Sequence, residues 1–234
     1  MHVKICGITR PDEIDLLGSL PIDLVGLWHG VLGGRAELSL TECRALATAC
    51  TKHGLEPVLV TFLTDAGALR EVIDLVPVRW IQLHGYQTPG LVRAVKRIVP
   101  AAVRIIKVLH VQGTRCLEAS LVRAYERAGV DAFLFDVATD DGQIGSTGRS
   151  LNGAVVSALA ERLTRPFLLA GGISAENWRE HINSICNPRW SGIDVDTNAR
   201  GSDGVLRPEN IEAIVRAWGI WAHPIGAHQG VYHG

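Results

Sequence analysis

The chain has 234 residues, 47% of them hydrophobic and 20% charged, with a formal net charge of −1. That balance suits one compact soluble domain, and without a basic stripe nucleic acid is excluded as the main partner. The apolar runs are too short and interrupted to cross a bilayer, and MHVKIC lacks the layout of a secretory signal, so a cytoplasmic protein is expected.

The elements alternate regularly along the chain. HVKIC (2–6) reads as a buried strand, and PDEIDLLGSL follows with helical spacing and Pro11 at its start. DLVGLW (23–28) precedes the helix LTECRALATAC, whose N-cap is expected at Ser39. PVLVTF (57–62) precedes DAGALREVIDLV, and WIQLH (80–84) precedes TPGLVRAVKRIV. RIIKVL (104–109) precedes GTRCLEASLVRAYERAG, and DAFLFDV (131–137) precedes SLNGAVVSALAERL. PFLLAGG (166–172) precedes SAENWREHINSI, and WSGIDV (190–195) precedes RPENIEAIVRAWG. Strands of continuous Val, Ile and Leu are covered on both faces, as in a parallel sheet. Eight such units indicate an α/β fold, a closed (β/α)₈ TIM barrel. A doubly wound sheet usually has fewer strands and a GxGxxG after the first, which CGITRP does not match. One domain is expected over residues 1–222, with 223–234 as a tail.

Chemistry in such a barrel sits at the C-terminal ends of the strands. This position selects Cys6, Trp28 to Arg35, Thr61, Gln82, His84, Lys107, Asp136, Gly171, Gly172 and the stretch from Asp194 through Asp196 and Thr197 to Asn198. A carboxylate such as Asp136 after four apolar residues is costly to bury. It serves either as a general acid or as a loop cap or partner of Lys107. Cys6 is either a structural thiol or a base activated by nearby positive charge. AGGIS has the form of an anion cradle, glycines leading into a helix N-terminus, or of an ordinary tight turn. GSTG (145–148) is a flexible glycine loop able to close over the mouth. Arg35 either reaches an anion or lies solvated, and Trp28 and His29 either line an aromatic pocket or plug the barrel. The five cysteines form no CxxC, so neither a zinc site nor a disulfide framework is indicated. His223, His228 and His233 fall in the tail, which reads as solvated loop.

KICGIT (4–9), QLHG (82–85), LFDV (134–137), GSTG (145–148), LAGGI (169–173) and GIDV (192–195) occur in that order. In this the chain resembles the phosphoribosylanthranilate isomerase family, TIM barrels of tryptophan biosynthesis, over residues 3 to 217. The resemblance implies an Amadori rearrangement of an N-aryl phosphoribosylamine, with Cys6 as general base and Asp136 as general acid. It implies Arg35 at the anthranilate end and Gly171 and Gly172 at the phosphate. Gln82, His84, Lys107, Asp194, Asp196 and Thr197, selected by their strand-end positions, are expected to complete the substrate site. No metal or other cofactor is implied. The partner is a small molecule, in a monomer or homodimer.

The departures lie at both ends of that site. The family pattern G-F-x-F and S-x-R is here GLWHGVLGGR, and Tyr86 stands where an acidic residue is usual. The strand-six loop reads GSTGRSLNG, without the family's two aromatics, and D-V-S-S-G-V-E is replaced by DVDTNAR. Asp196 beside a phosphate would be repulsive unless it points away and Arg200 restores positive charge. A paralogue using Cys6 and Asp136 on another small molecule is the alternative expectation, and a non-catalytic binding barrel the third.

Overall fold

The computed structural model describes residues 1–138 and 151–219. GSTG (145–148), the rest of GSTGRSLNG up to Ser150, Trp221, the expected boundary at 222 and the histidine-containing tail lie outside the described residues.

Eight parallel strands close on themselves. They are β1 (His2–Ile5), β2 (Leu24–Trp28), β3 (Glu56–Thr61), β4 (Trp80–Leu83), β5 (Arg104–Gln112), β6 (Ala132–Val137), β7 (Phe167–Leu169) and β8 (Trp190–Val195). Each pairs with its sequence neighbours, β8 pairs with β1, and the pairing of β4 with β5 leaves no open edge. The helices between them are α1 (Pro11–Leu17), α2 (Leu40–Lys52), α3 (Ala66–Leu75), α4 (Pro89–Ile98), α5 (Val122–Ala128), α6 (Gly153–Ala160), α7 (Ile182–Ile185) and α8 (Pro208–Gly219). This is the expected (β/α)₈ TIM barrel.

Local chemistry fixes the helix starts. Ser39 caps α2 and Glu42 returns the bond to its backbone, a reciprocal capping box. Thr88 caps α4 ahead of Pro89, and Asp65 caps α3. Two expected helices are shorter than their sequence pattern. Residues 113–129 begin instead with the two-residue strand Arg115–Cys116, antiparallel to the end of β5, and a 3₁₀ turn at Ala119–Leu121 before α5. Residues 174–185 hold a 3₁₀ turn at Trp178–His181 and the single turn α7.

Two cores follow from strand parity. Val25, Leu27, Ile81, Leu109, Phe133 and Phe135 face outward and pack under the helices. Leu24, Val58, Val60, Ile106, Val108 and Leu134 face inward and fill the barrel. The register aligns Lys4 with Asp194 and with Leu24, Val60 with Gln82, and His110 with Asp136, so these residues also project inward. Trp218 is fully buried, donating its indole N–H to the Ser174 carbonyl at 2.7 Å, so α8 is docked by core burial.

Candidate active site

Cys6 follows β1 on the inward parity, just above Lys4. Lys4 is wholly buried, its ammonium donating to Asp194 at 2.8 and 2.9 Å and to the Cys6 sulfur at 3.1 Å. Burial opposes the charge on Lys4, but Asp194 and Cys6 outweigh it and hold the ammonium protonated above the usual lysine range. Trp28, at the end of β2, donates its indole N–H to the same sulfur at 3.2 Å. Burial is the largest influence on the thiol and pushes it up to about 11, against the pull of Lys4 and of the Trp28 hydrogen bond; Asp194 and Asp196 add to the rise. Gly26 leaves the room this arrangement needs, because a Cβ there would lie 2.6 Å from the sulfur.

Asp136 enters the same mouth from β6. Its Oδ1 accepts from the Val137 amide at 2.8 Å, and its Oδ2 lies 3.3 Å from His84 Nε2. Gln82, two residues before His84 on the inward face of β4, places its Nε2 3.0 Å from His84 Nδ1. With the Gln82 amide donating there, the proton of a neutral His84 is on Nε2, facing Asp136. Gly171 lies close beside the carboxylate; a Cβ on it would stand 3.2 Å from Asp136 Oδ1 and 2.6 Å from a Val137 methyl. Its φ of 75° is itself a glycine conformation.

A second imidazole adjoins this group. His110, the register partner of Asp136, is fully buried and pairs through Nδ1 with Glu118 at 2.6 Å. Its ring lies 5.9 Å from that of His84 and 4.8 Å from that of Tyr86, which is half exposed at the rim.

The loops after β7 and β8 are tied together. Asn198 donates to the carbonyls of Gly172 at 3.2 Å and Ile173 at 2.9 Å, and Asn177 donates to Gly172 O at 3.0 Å. Gly172 also has a positive φ, 69°. Thr197 opens a 3₁₀ turn after Asp196. Asp196 pairs with Arg35 and lies 3.4 Å from Arg200 Nε. Arg200 in turn donates to Glu13 at 2.8 Å and to the Gly7 carbonyl at 2.7 Å. The Arg35 guanidinium stacks over Trp28, 5.4 Å from its ring centre. His29 turns away and bonds the Leu38 carbonyl at 2.8 Å. Among the described residues, no group of three His, Cys, Asp or Glu side chains is arranged to hold a metal ion, and no helix is long and apolar enough to cross a membrane.

Residues 68–217 match the family model described as N-(5'-phosphoribosyl)anthranilate (PRA) isomerase. An N-(5'-phosphoribosyl)anthranilate isomerase of Azorhizobium caulinodans is 31% identical over 93% of this chain and 91% of its own. The chain belongs to the PRA isomerase family. Among solved structures, phosphoribosyl anthranilate isomerase from Thermus thermophilus superposes with a TM-score of 0.75 at 24% identity, over 94% of this chain and 99% of that one. Another isomerase, solved in complex with reduced 1-(o-carboxyphenylamino)-1-deoxyribulose 5-phosphate, gives a TM-score of 0.70 at 20% identity, over 94% of this chain and 98% of that one.

Of the residues singled out in the sequence, Cys6, Asp136, Gln82, His84, Arg35 and Asp196 stand at the mouth of this PRA isomerase-family barrel, and Gly171, Gly172 and Thr197 form its far rim. Asp194 is not at the rim; it lies below Cys6 as the counterion of Lys4. Lys107 is a correction. It shares the outward parity of Ile105 and Leu109, and its ammonium donates to the Gly85 and Val108 carbonyls 5.5 Å from the centre of the Tyr125 ring, on the helix side of the sheet. It pairs with neither Asp136 nor Cys6. Lys4, the indole donor of Trp28, and the pair His110–Glu118 were not anticipated. Lys4 and Trp28 share the inward parity of Cys6 and of Gly26, and that alternation is the signal that finds them.

Proposed function

We propose that this barrel isomerises N-(5'-phosphoribosyl)anthranilate to the 1-deoxyribulose product, with Asp136 as general acid and Cys6 as general base. Asp136 protonates the furanose ring oxygen; the C1′–O bond breaks and the nitrogen lone pair forms the Schiff base. The Cys6 thiolate then takes the C2′ proton, and the electron pair moves onto the iminium as the enolamine, which tautomerises to the ketone. One proton has left Asp136 and one has arrived at Cys6, so exchange with solvent resets the pair. The observation that carries this reading is that Cys6 and Asp136 project into one mouth from β1 and β6, separated in the barrel by β7 and β8.

The base must be the thiolate, whereas a carboxyl ordinarily loses its proton before a thiol does. The working form pairs the Cys6 thiolate with the carboxyl form of the acid. Lys4 supports it by holding positive charge 3.1 Å from the sulfur. His84 is the group that steadies Asp136, and Gly171, Gly172 and Thr197 are proposed to receive the phosphate. The chemistry needs one acid, one base and no cofactor. The same reading makes residues 1–222 one cytoplasmic catalytic domain, monomeric or homodimeric, acting on a small molecule.

The Arg35–Asp196 pair favours a second reading, a paralogue using the same acid and base on a different small molecule, since the arginine at the rim already holds a carboxylate of its own chain. Freshly made phosphoribosylanthranilate decides between them through the loss of anthranilate-type fluorescence. Turnover abolished by Cys6→Ser and by Asp136→Asn supports the isomerase. No turnover by the wild-type protein removes it and leaves the paralogue.

A further inference from the structure

Two N–H groups converge on one sulfur, and only one belongs to a charged residue. The indole of Trp28 is a donor without acceptor capacity, so its 3.2 Å contact with Cys6 commits the sulfur as acceptor. The Lys4 ammonium at 3.1 Å does the same. A thiol is a poor acceptor and a thiolate a strong one; two donors on one sulfur form a site shaped for the anion. Trp28 has no second polar duty here. Its ring face carries the Arg35 guanidinium and its N–H goes to sulfur. The space comes from Gly26, where any side chain would collide with Cys6 and Lys4.

We propose that Trp28 is a positioning residue for the Cys6 base: its indole N–H, with Lys4, stabilises the thiolate when it forms and fixes the direction in which its remaining lone pairs face the mouth. This rests on the isomerase reading for its catalytic meaning but not for its physical content. The charged groups facing the sulfur are Lys4 on β1, Asp194 on β8 and Asp196 just after β8; Arg35 lies over the face of the indole. Lys4 cannot serve alone, because Asp194 shares its ammonium at 2.8 Å. The indole supplies a donor that adds no charge for Asp194 to neutralise.

Trp28→Phe keeps an aromatic face for Arg35 and deletes the donor. Losing one hydrogen bond to an anion should raise the Cys6 midpoint by about one unit. The midpoint is read from thiolate absorbance, with Cys6→Ser as the blank that subtracts the other four cysteines. Below the midpoint the same shift lowers the thiolate fraction about tenfold, and kcat/KM with it, chiefly through kcat, and it moves the limb of the pH profile that reports Cys6 up by about one unit. Trp80→Phe removes an indole from the opposite end of the barrel interior and is expected to leave midpoint and limb in place. The proposal is overturned if the Cys6 midpoint of Trp28→Phe stays at the wild-type value, or if Trp80→Phe moves it equally. A moved midpoint in a protein without turnover sinks the isomerase reading and leaves the Trp28 contact standing. Should Trp28→Phe not fold, ¹⁵N spectra of the six wild-type indoles decide: one Nε1–H resonance must titrate with Cys6 and stop doing so in Cys6→Ser, and six static resonances overturn the proposal.

Discussion

Gly26 and Cys6 face each other inside the barrel so closely that a Cβ on Gly26 would stand 2.6 Å from the sulfur, 2.9 Å from the Lys4 ammonium and 3.1 Å from the Cys6 backbone. One of these atoms is main chain, so the clash cannot be relieved by rotating a side chain. Gly26→Ala is expected to cost about 1–3 kcal/mol through overpacking. Because the displaced group is the proposed base, kcat should fall by roughly tenfold or more. Urea unfolding and steady-state kinetics measure the two effects separately. A variant that loses stability while keeping wild-type kcat would show that the thiol position does not matter to the reaction.

Asp196 engages Arg35 at the rim, and Arg200 lies on its other side. Asp196→Ser frees Arg35 while leaving Arg200 on Glu13 and the Gly7 carbonyl. The Arg35 side chain is 45% exposed, so its pair with Asp196 is worth at most about 1 kcal/mol. If Arg35 serves a substrate carboxylate, KM for phosphoribosylanthranilate should fall by up to about fivefold with kcat little changed. A raised KM would mean that Asp196 itself helps to bind substrate.

The barrel was legible in the sequence because each strand is an apolar run bounded by polar or glycine residues. The same property hid which side chains reach the mouth. In RIIKVLHV apolar residues fall on both faces and are interrupted on each by a basic side chain, so the faces look alike until register with the neighbouring strands is known. Lys107 was therefore assigned to the mouth although it shares the outward face of Ile105 and Leu109. His110 lies beyond the apolar run RIIKVL, which ends at Leu109, whereas β5 continues to Gln112. The long expected helix over 113–129 failed for a related reason. Glu118 turns back to the His110 amide and ring, so the chain returns along β5 before α5 can start. Helical periodicity does not register a contact of that kind. Cys6 and Asp136 stand out in the sequence because they close strands in recognisable motifs, while Lys4, in the same motif, has no strand-end position and is reached only through strand parity.

Glu118 accepts from both the backbone amide of His110, at 2.8 Å, and its imidazole, at 2.6 Å, in a nearly dry site. Burial raises the Glu118 carboxyl, but the His110 bonds and the charges of His110 and Lys107 prevail and hold it below the usual glutamate range. Glu118→Ala strands both donors and should cost about 3 kcal/mol or more. Glu118→Gln, which retains an acceptor, should cost clearly less. Denaturant midpoints rank the two, and equal losses would mean that the segment 113–121 is held by packing rather than by this carboxylate.

Lys107 makes stability depend on pH in a defined direction. Burial lowers its pKa from 10.5 to about 8, with only partial relief from Glu118. Below about pH 8 the ammonium is charged in both folded and unfolded chains, and the burial penalty is felt in full. Between about 8 and 10.5 the unfolded chain binds this proton and the folded one does not, so raising the pH favours folding by up to roughly 3 kcal/mol. Buried thiols pull the other way: burial pushes Cys43 and Cys50 up to about 12 and Cys116 to about 11, so their contribution is lost as pH rises above their ordinary value of 9. The difference between wild type and Lys107→Met isolates Lys107 together with its coupling to Cys116 and Glu118, while the Cys43 and Cys50 thiols cancel. That difference should shift in favour of the wild type between pH 8 and pH 10 in urea unfolding. A difference that stays flat across this range would mean that the Lys107 ammonium keeps its proton, held by the Gly85 and Val108 carbonyls and the Tyr125 ring.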